Sequence, residues 1–252
     1  VATVAGQILG AIVSVVFNLK FNNEIQFSFK KFRPNSFIIV QIYKVGLPSI
    51  ILQAVGSFTT YGMNLVFKTF REISDTIIAF YGAYFKLQSL IFMPVFGLNN
   101  GVVPIIAYNY GAQNRSRITK TVKNGLLLAF FIMLFGTLLF ELFPDVLLSL
   151  FNASSQMKKI GVPALRIIAP SFLGAAIAIS FGSVFQAMGD AVYSMIVSLA
   201  RQVCVLLPVA YFLSLAGNIN LVWLCFPIAE FVSVGFSLFF FGKLYKNKIS
   251  QI

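Results

Sequence analysis

Three ionisable side chains lie deep inside apolar stretches of this 252-residue sequence: Lys86, Arg201 and Glu230. A charge near the middle of such a stretch costs about 2.5–3.5 kcal/mol on insertion scales, so each needs a partner, water or a task. A buried carboxylate can take up and release a cation, and a buried ammonium can repel or relay one. Lys86 shares its helical face with Ala79, Gly82, Ala83, Ser89 and Met93, which points it at a neighbour or a cavity. Glu230 has Ser233 and Ser237 on its side. It is the only acid at a depth similar to that of Lys86 on another segment, so the two form a pair or Lys86 lines a wet cleft. Arg201, flanked by Ser194, Ser198 and Cys204, is near enough to a segment end to snorkel.

Around these charges run stripes of small and polar residues. Gly46, Ser49, Gln53, Gly56, Ser57, Thr60 and Asn64 recur at close to the 3.6-residue period, as do Ser171, Ala175, Ala178, Gly182, Gln186 and Gly189. Polar groups cannot face hydrocarbon cheaply, so each stripe faces protein or water. The small residues suit close helix packing. The amides of Gln53, Asn64 and Gln186 suit a wet cavity. Tyr61, Met63, Tyr84 and Phe85 could add cation–π and polarizable contacts to a flat cation, or simply pack.

Other chemistry has no residues to perform it. The sequence contains no His, no phosphate-binding loop of the G-x-x-x-x-G-K-[ST] kind, and only two cysteines, Cys204 and Cys225, without metal-ligand spacing. With few intramembrane acids there is no acid–base machinery, so the chain reads as no enzyme and implies no metal or organic cofactor.

The elements that position these residues are apolar runs. Hydrophobic residues make up 58% and charged ones 10%, against about a quarter charged in soluble domains, so the solvent is lipid. Runs of roughly 20 apolar residues fall at 1–19, 37–67, 74–110, 124–143, 160–187, 194–214 and 219–241. The fold class is therefore all-α, a polytopic membrane bundle of about seven helices. Gly46 and Pro48 are expected to break the second run, and Pro94, Gly97, Gly101 and Pro104 the third. Loops 20–44, 111–123 and 243–252 hold twelve of the 19 basic residues, whereas 68–75, 144–159 and 215–218 hold four. Seven crossings place the three basic loops on one side, the cytoplasmic one by the positive-inside rule, with the C-terminus there. The net charge of +12 thus reflects topology and anionic lipid, and implies no nucleic acid. Val1 begins inside an apolar run, so the chain reads as part of a longer polypeptide.

The segment FMPVFGLNNGVVPIIAYNYGAQN at 92–114 resembles the multidrug and toxic compound extrusion (MATE) family. So do GLPSIILQ (46–53), FYGAYFKLQ (80–88), FQAMGD (185–190), SLARQV (198–203) and VATVAGQ (1–7), in the family's order. The resemblance is to its drug-exporting bacterial branch. It implies the last helix of a first lobe (1–19), a cytoplasmic linker (20–36), a six-helix second lobe (37–242) and a cytoplasmic tail (243–252). It implies a plasma-membrane antiporter that exchanges small, often cationic compounds for H⁺ or Na⁺, with the first half of the polypeptide as its other partner. The expected cavity residues are Gln53, Ser57, Thr60, Tyr61, Asn64, Tyr84, Lys86 and Gln186. Pro94, Gly97, Asn99, Asn100, Gly101 and Pro104 are expected to bend or pack the third span. Some branches hold the coupling cation on acids of the seventh and tenth helices, but 37–67 and 160–187 contain none. The coupling site is then in the first half or at Glu230. The alternatives are a flippase for lipid-linked precursors, which wants several cavity cations, and a non-transport scaffold.

Overall fold

The computed structural model describes residues 2–21 and 34–252, so most of the 20–36 linker lies outside the described residues. Two units are distinct, Val1–Val45 and Gly46–Ile252. The first contains α1 (Ala2–Phe21), whose side chains, Ile8, Ile12 and Phe17 among them, are exposed. Helix α2 covers Ser36–Phe67, α3 Ser74–Gly111 and α4 Arg115–Leu142. A short α5 (Pro144–Ser149) leads to α6 (Ser155–Ile168) and α7 (Ser171–Ala187). Then follow α8 (Ala191–Leu199), a π-helical turn over Ala200–Leu206, α9 (Leu207–Ser214), α10 (Ile219–Val222), α11 (Cys225–Leu244) and a second π turn, Tyr245–Ile249. Among the described residues there is no strand. Among the described residues six helices are long and apolar enough to cross a membrane, and the pair α6–α7, bent by 51°, covers the run expected at 160–187 and makes a seventh when counted as one span.

That bend is where the sequence expectation of breaks is corrected. Both α2 and α3 run unbroken through Gly46, Pro48, Pro94 and Pro104; membrane helices tolerate proline where neighbours satisfy the freed groups. The break falls instead at Ala169–Pro170. Pro170 has no N–H to return to the preceding turn. The Thr137 hydroxyl of α4, bonded to Met133 O at 2.9 Å, also reaches Ala169 O at 3.1 Å, and Ser171 Oγ donates to Ile168 O at 2.6 Å.

The core of the second unit is aromatic. Trp223, fully buried at the α10–α11 turn, packs on Phe67 (5.2 Å between ring centroids) and edge-on to Phe80 (5.3 Å). Tyr81 and Tyr84 extend this cluster, and Phe172 joins it to Phe140 at 5.0 Å and Phe92 at 5.3 Å. Such offset and edge-to-face pairs are the preferred ring geometries. Glycines let the helices close on it: a Cβ on Gly161 would meet the Phe80 ring at 2.7 Å, and one on Gly136 would meet Ile91 Cγ2 at 2.3 Å.

A smaller cluster, containing Ile106, Ile118, Phe181, Phe185, Leu244 and Ile249, fills the end of the bundle that carries the α3–α4 and α7–α8 turns. The 243–252 segment, expected as a tail, is packed here. Tyr245 accepts a hydrogen bond from Arg115 (2.9 Å) and lies under its guanidinium, while Lys248 pairs with Asp190 at 2.7 Å and donates to Met188 O at 3.0 Å. The amphipathic segment is covered because Leu244 and Ile249 have apolar surface to bury.

Candidate functional site

The deep charges resolve into one pair. Arg201 Nη1 donates to Glu230 Oε1 across the interface between the π turn and α11. The turn widens because the Leu207 N–H bonds to Gln202 O, five residues back, and Pro208, which follows, has no N–H to restore the α pattern. Such one-turn insertions recur at functional sites. Next to Arg201, Gln202 Nε2 is held by Ser198 Oγ at 2.9 Å. On the other flank of Glu230, α7 approaches so closely that a Cβ on Gly174 would lie 3.3 Å from Glu230 Cβ.

Glu230 Oε2 finds no hydrogen-bond partner among the described residues, and neither do the hydroxyls of Ser233, Ser237, Tyr84 and Ser180. All five residues are buried. Along α11, Val234 and Phe241 face α7, the latter stacking on Phe181 at 4.3 Å, while Phe240 stacks on Tyr193 of α8 at 4.7 Å. Ser233 and Ser237 fall between these two contact lines, on the same side as Glu230. The Tyr84 ring is 5.7 Å from Phe226, one turn before Glu230. The result is a polar seam inside an apolar lobe.

The expected cavity residues do not meet at this seam, apart from Tyr84. On α2 the side packed into the lobe is Val55, Thr59, Met63 and Val66. Gln53, Ser57 and Tyr61 are exposed and Thr60 and Asn64 half-buried, on a strip turned away from that side. Gln186 is exposed on α7. On α3 the strip Lys86, Pro94, Gly97, Asn100, Gly101 and Pro104 is exposed, and only Asn99 is buried. A Cβ on Gly97 or Gly101 would meet nothing within 4 Å, so these glycines pack no helix of this lobe.

One of the two alternatives for Lys86 falls, and one expectation is corrected. Lys86 does not pair with Glu230: its ammonium lies 6.0 Å from the Phe151 ring, because a helical side chain leans toward its own N-terminus. Tyr84 does not line an open cavity but is 1% exposed in the aromatic core, where ring packing outweighs its one hydroxyl. The Arg201–Glu230 contact escaped the sequence reading, although a signal was present. Arg201 lies 13 residues before Ser214 and Glu230 11 after Ile219, on helices joined by a short turn. Those are similar depths, about 20 and 17 Å, at 1.5 Å per residue.

The MatE family model matches residues 48–212. The multidrug export protein MepA of Staphylococcus haemolyticus is 27% identical over 98% of this chain and 53% of its own length. That of Staphylococcus saprophyticus is 25% identical over 88% of this chain and 48% of its own. The chain spans about half the length of the curated relatives it matches. Among solved structures, a MATE in complex with MaL6 superposes with a TM-score of 0.82 at 20% identity, over 95% of this chain and 54% of that one. The outward-facing conformation of a multidrug resistance MATE family transporter of the MOP superfamily gives 0.81, also at 20% identity, over 95% and 54%. The fold is theirs, and with the family model matched from the second span to the sixth, this multi-pass membrane chain belongs to the MatE family.

Proposed function

We propose that this chain is the second-lobe part of a secondary transporter in the plasma membrane, which exports small amphipathic, often cationic compounds in exchange for H⁺ or Na⁺. One observation carries the reading. In helices long enough to span a bilayer, the polar strip Gln53–Ser57–Thr60–Asn64 and the Lys86–Gly97–Gly101 strip are turned away from the lobe's own core. Neither amides nor an ammonium suit hydrocarbon, so these strips face water or another lobe. A substrate path between two lobes meets that need, and the relatives of twice this length are multidrug export proteins. Arg115, Asp190, Tyr245 and Lys248 gather at one end of the bundle, in keeping with a cytoplasmic C-terminus. Glu230 is the ion-coupling candidate of this lobe.

A flippase for lipid-linked precursors would need a cluster of free cations. Arg201 is committed to Glu230, which leaves Lys86 alone on the outward strip. The test is export of a fluorescent cation by cells that carry the full-length protein with Gln53→Leu or Asn64→Leu. Export is expected to fall at unchanged protein level. Unaltered export by both variants would place the strip against lipid and overturn the reading.

A further inference from the structure

Three buried polar atoms of α11 need explaining together: Glu230 Oε2, Ser233 Oγ and Ser237 Oγ, all without a partner among the described residues. Their residues are between 0% and 8% exposed. Buried groups are seldom left so, and ordered water is the usual partner where protein supplies none. The three α11 residues lie on one side of the helix, separated along its axis by about 4.5 and 6 Å, the reach of one or two bridging waters.

We propose that the ion handled by this lobe is a proton, which adds to the free Glu230 oxygen through buried water held by Ser233 and Ser237. This deepens the transport reading and rests on it. A hard metal cation needs several oxygens converging within about 2.5 Å of one point. Here the oxygens are strung along α11, and the Arg201 guanidinium occupies the other carboxylate oxygen. A proton needs one acceptor and a line of hydrogen-bonding groups. It comes from bulk water and adds to Oε2, leaving a neutral carboxyl. The guanidinium keeps its charge and loses its anionic partner, which frees the π turn from α11.

The other groups facing Glu230 do not compete for this role. Helix α7 has no titratable residue, and α8 brings only Tyr193, stacked more than two turns away on Phe240. Tyr211 of α9, Cys204 of the π turn and Lys159 and Arg166 of α6 are exposed, and Lys158 is tied to Ser149 at 2.7 Å. Tyr81 lies beside Tyr84 in the aromatic core, and Cys225 is one turn before Glu230 on its own helix. The Phe181–Phe241 stack lies toward one end of this stretch of α11 and Trp223 and Phe226 toward the other, while the Glu230 side chain is 10% exposed beside the 27% exposed Arg201, the side on which it meets bulk water.

The experiment uses the full-length protein in lipid nanodiscs and records infrared difference spectra between neutral and acid buffer. A protonated-carboxyl band is expected in the wild type and absent in Glu230→Gln. In Ser233→Ala/Ser237→Ala, which keeps the ion pair and so tests the seam without disturbing it, the acid-induced change is expected to slow by roughly tenfold, as for loss of a bridging hydrogen bond. A band that survives Glu230→Gln, or a change driven by Na⁺ at constant pH, overturns the proposal. So does an unslowed response of the double variant. Because this readout needs no substrate, it separates failure of the proton site from failure of the transport reading. The latter shows as no substrate-driven flux in wild-type proteoliposomes.

Discussion

Replacing Arg201 by Ala strands the Glu230 carboxylate, whose side chain is 10% exposed, with its remaining neighbours unable to neutralise it. Removing one partner of a buried pair costs about 3–5 kcal/mol. A ceiling follows from titration, because a stranded carboxylate can always take up a proton instead. For an ordinary Glu carboxyl that uptake costs about 3.7 kcal/mol at pH 7 and about 1 kcal/mol at pH 5, at 1.36 kcal/mol per unit. The deficit of Arg201→Ala is therefore expected to lie near 3 kcal/mol at neutral pH and to shrink as pH falls. Glu230→Gln behaves differently. A guanidinium does not deprotonate, but Arg201 is 27% exposed and can turn toward water, so this variant is expected to lose less than Arg201→Ala at pH 7, with little dependence on pH. Unfolding of the purified full-length protein in mixed micelles, at pH 7 and pH 5, measures both. Equal losses for the two variants, or an Arg201→Ala deficit that does not respond to pH, would refute the picture of a desolvated carboxylate held by one cation.

Gly136→Ala places a methyl 2.3 Å from Ile91 Cγ2 and is expected to destabilise by about 1–3 kcal/mol, with Ile91→Ala restoring part of the loss in a double-mutant cycle. Thr137→Val keeps the side-chain shape but removes the hydrogen bond to Ala169 O, for an expected loss of about 0.5–1.5 kcal/mol in the same unfolding assay. Lys86→Ala should leave stability unchanged, since the ammonium has only a distant ring contact. Export of some cationic compounds should improve in it, as measured by dye efflux; a loss of protein level would show that Lys86 is structural.

Helix number was legible, as was the basic character of the turns at 111–123 and 243–252, which meet through Arg115 and Tyr245, because both depend on composition along the chain. Asn114 and Ser154, which accept from the Arg117 and Met157 N–H groups, begin α4 and α6 with recognisable caps. Partner choice was less legible. The 3.6 period gives the face of a residue on its own helix, but not which helix lies opposite. Lys86 and Glu230 were matched by depth alone, whereas α3 turns Lys86 outward and α11 turns Glu230 toward the π turn. The prolines misled for a related reason. Pro94 and Pro104 lie inside a continuous α3, while Pro170 marks a break where Thr137 of another helix adds a second hydrogen bond to Ala169 O, beside that from Phe172 N–H. Only the packed structure supplies that hydroxyl.

The clamp formed by Tyr245 and Lys248 bears on biogenesis. Arg115 meets a residue 130 positions later, and Met188 one 60 positions later. During synthesis the α3–α4 and α7–α8 turns are made first and wait, untied, until the segment after α11 emerges and docks Leu244 and Ile249 between them. A ribosome that stops after Gly242 would release a chain with all its long helices inserted yet one end unsealed, exposing Ile106, Ile118 and Met188 to proteolytic surveillance. The π turn after α11 thereby distinguishes a sealed bundle end from an open one.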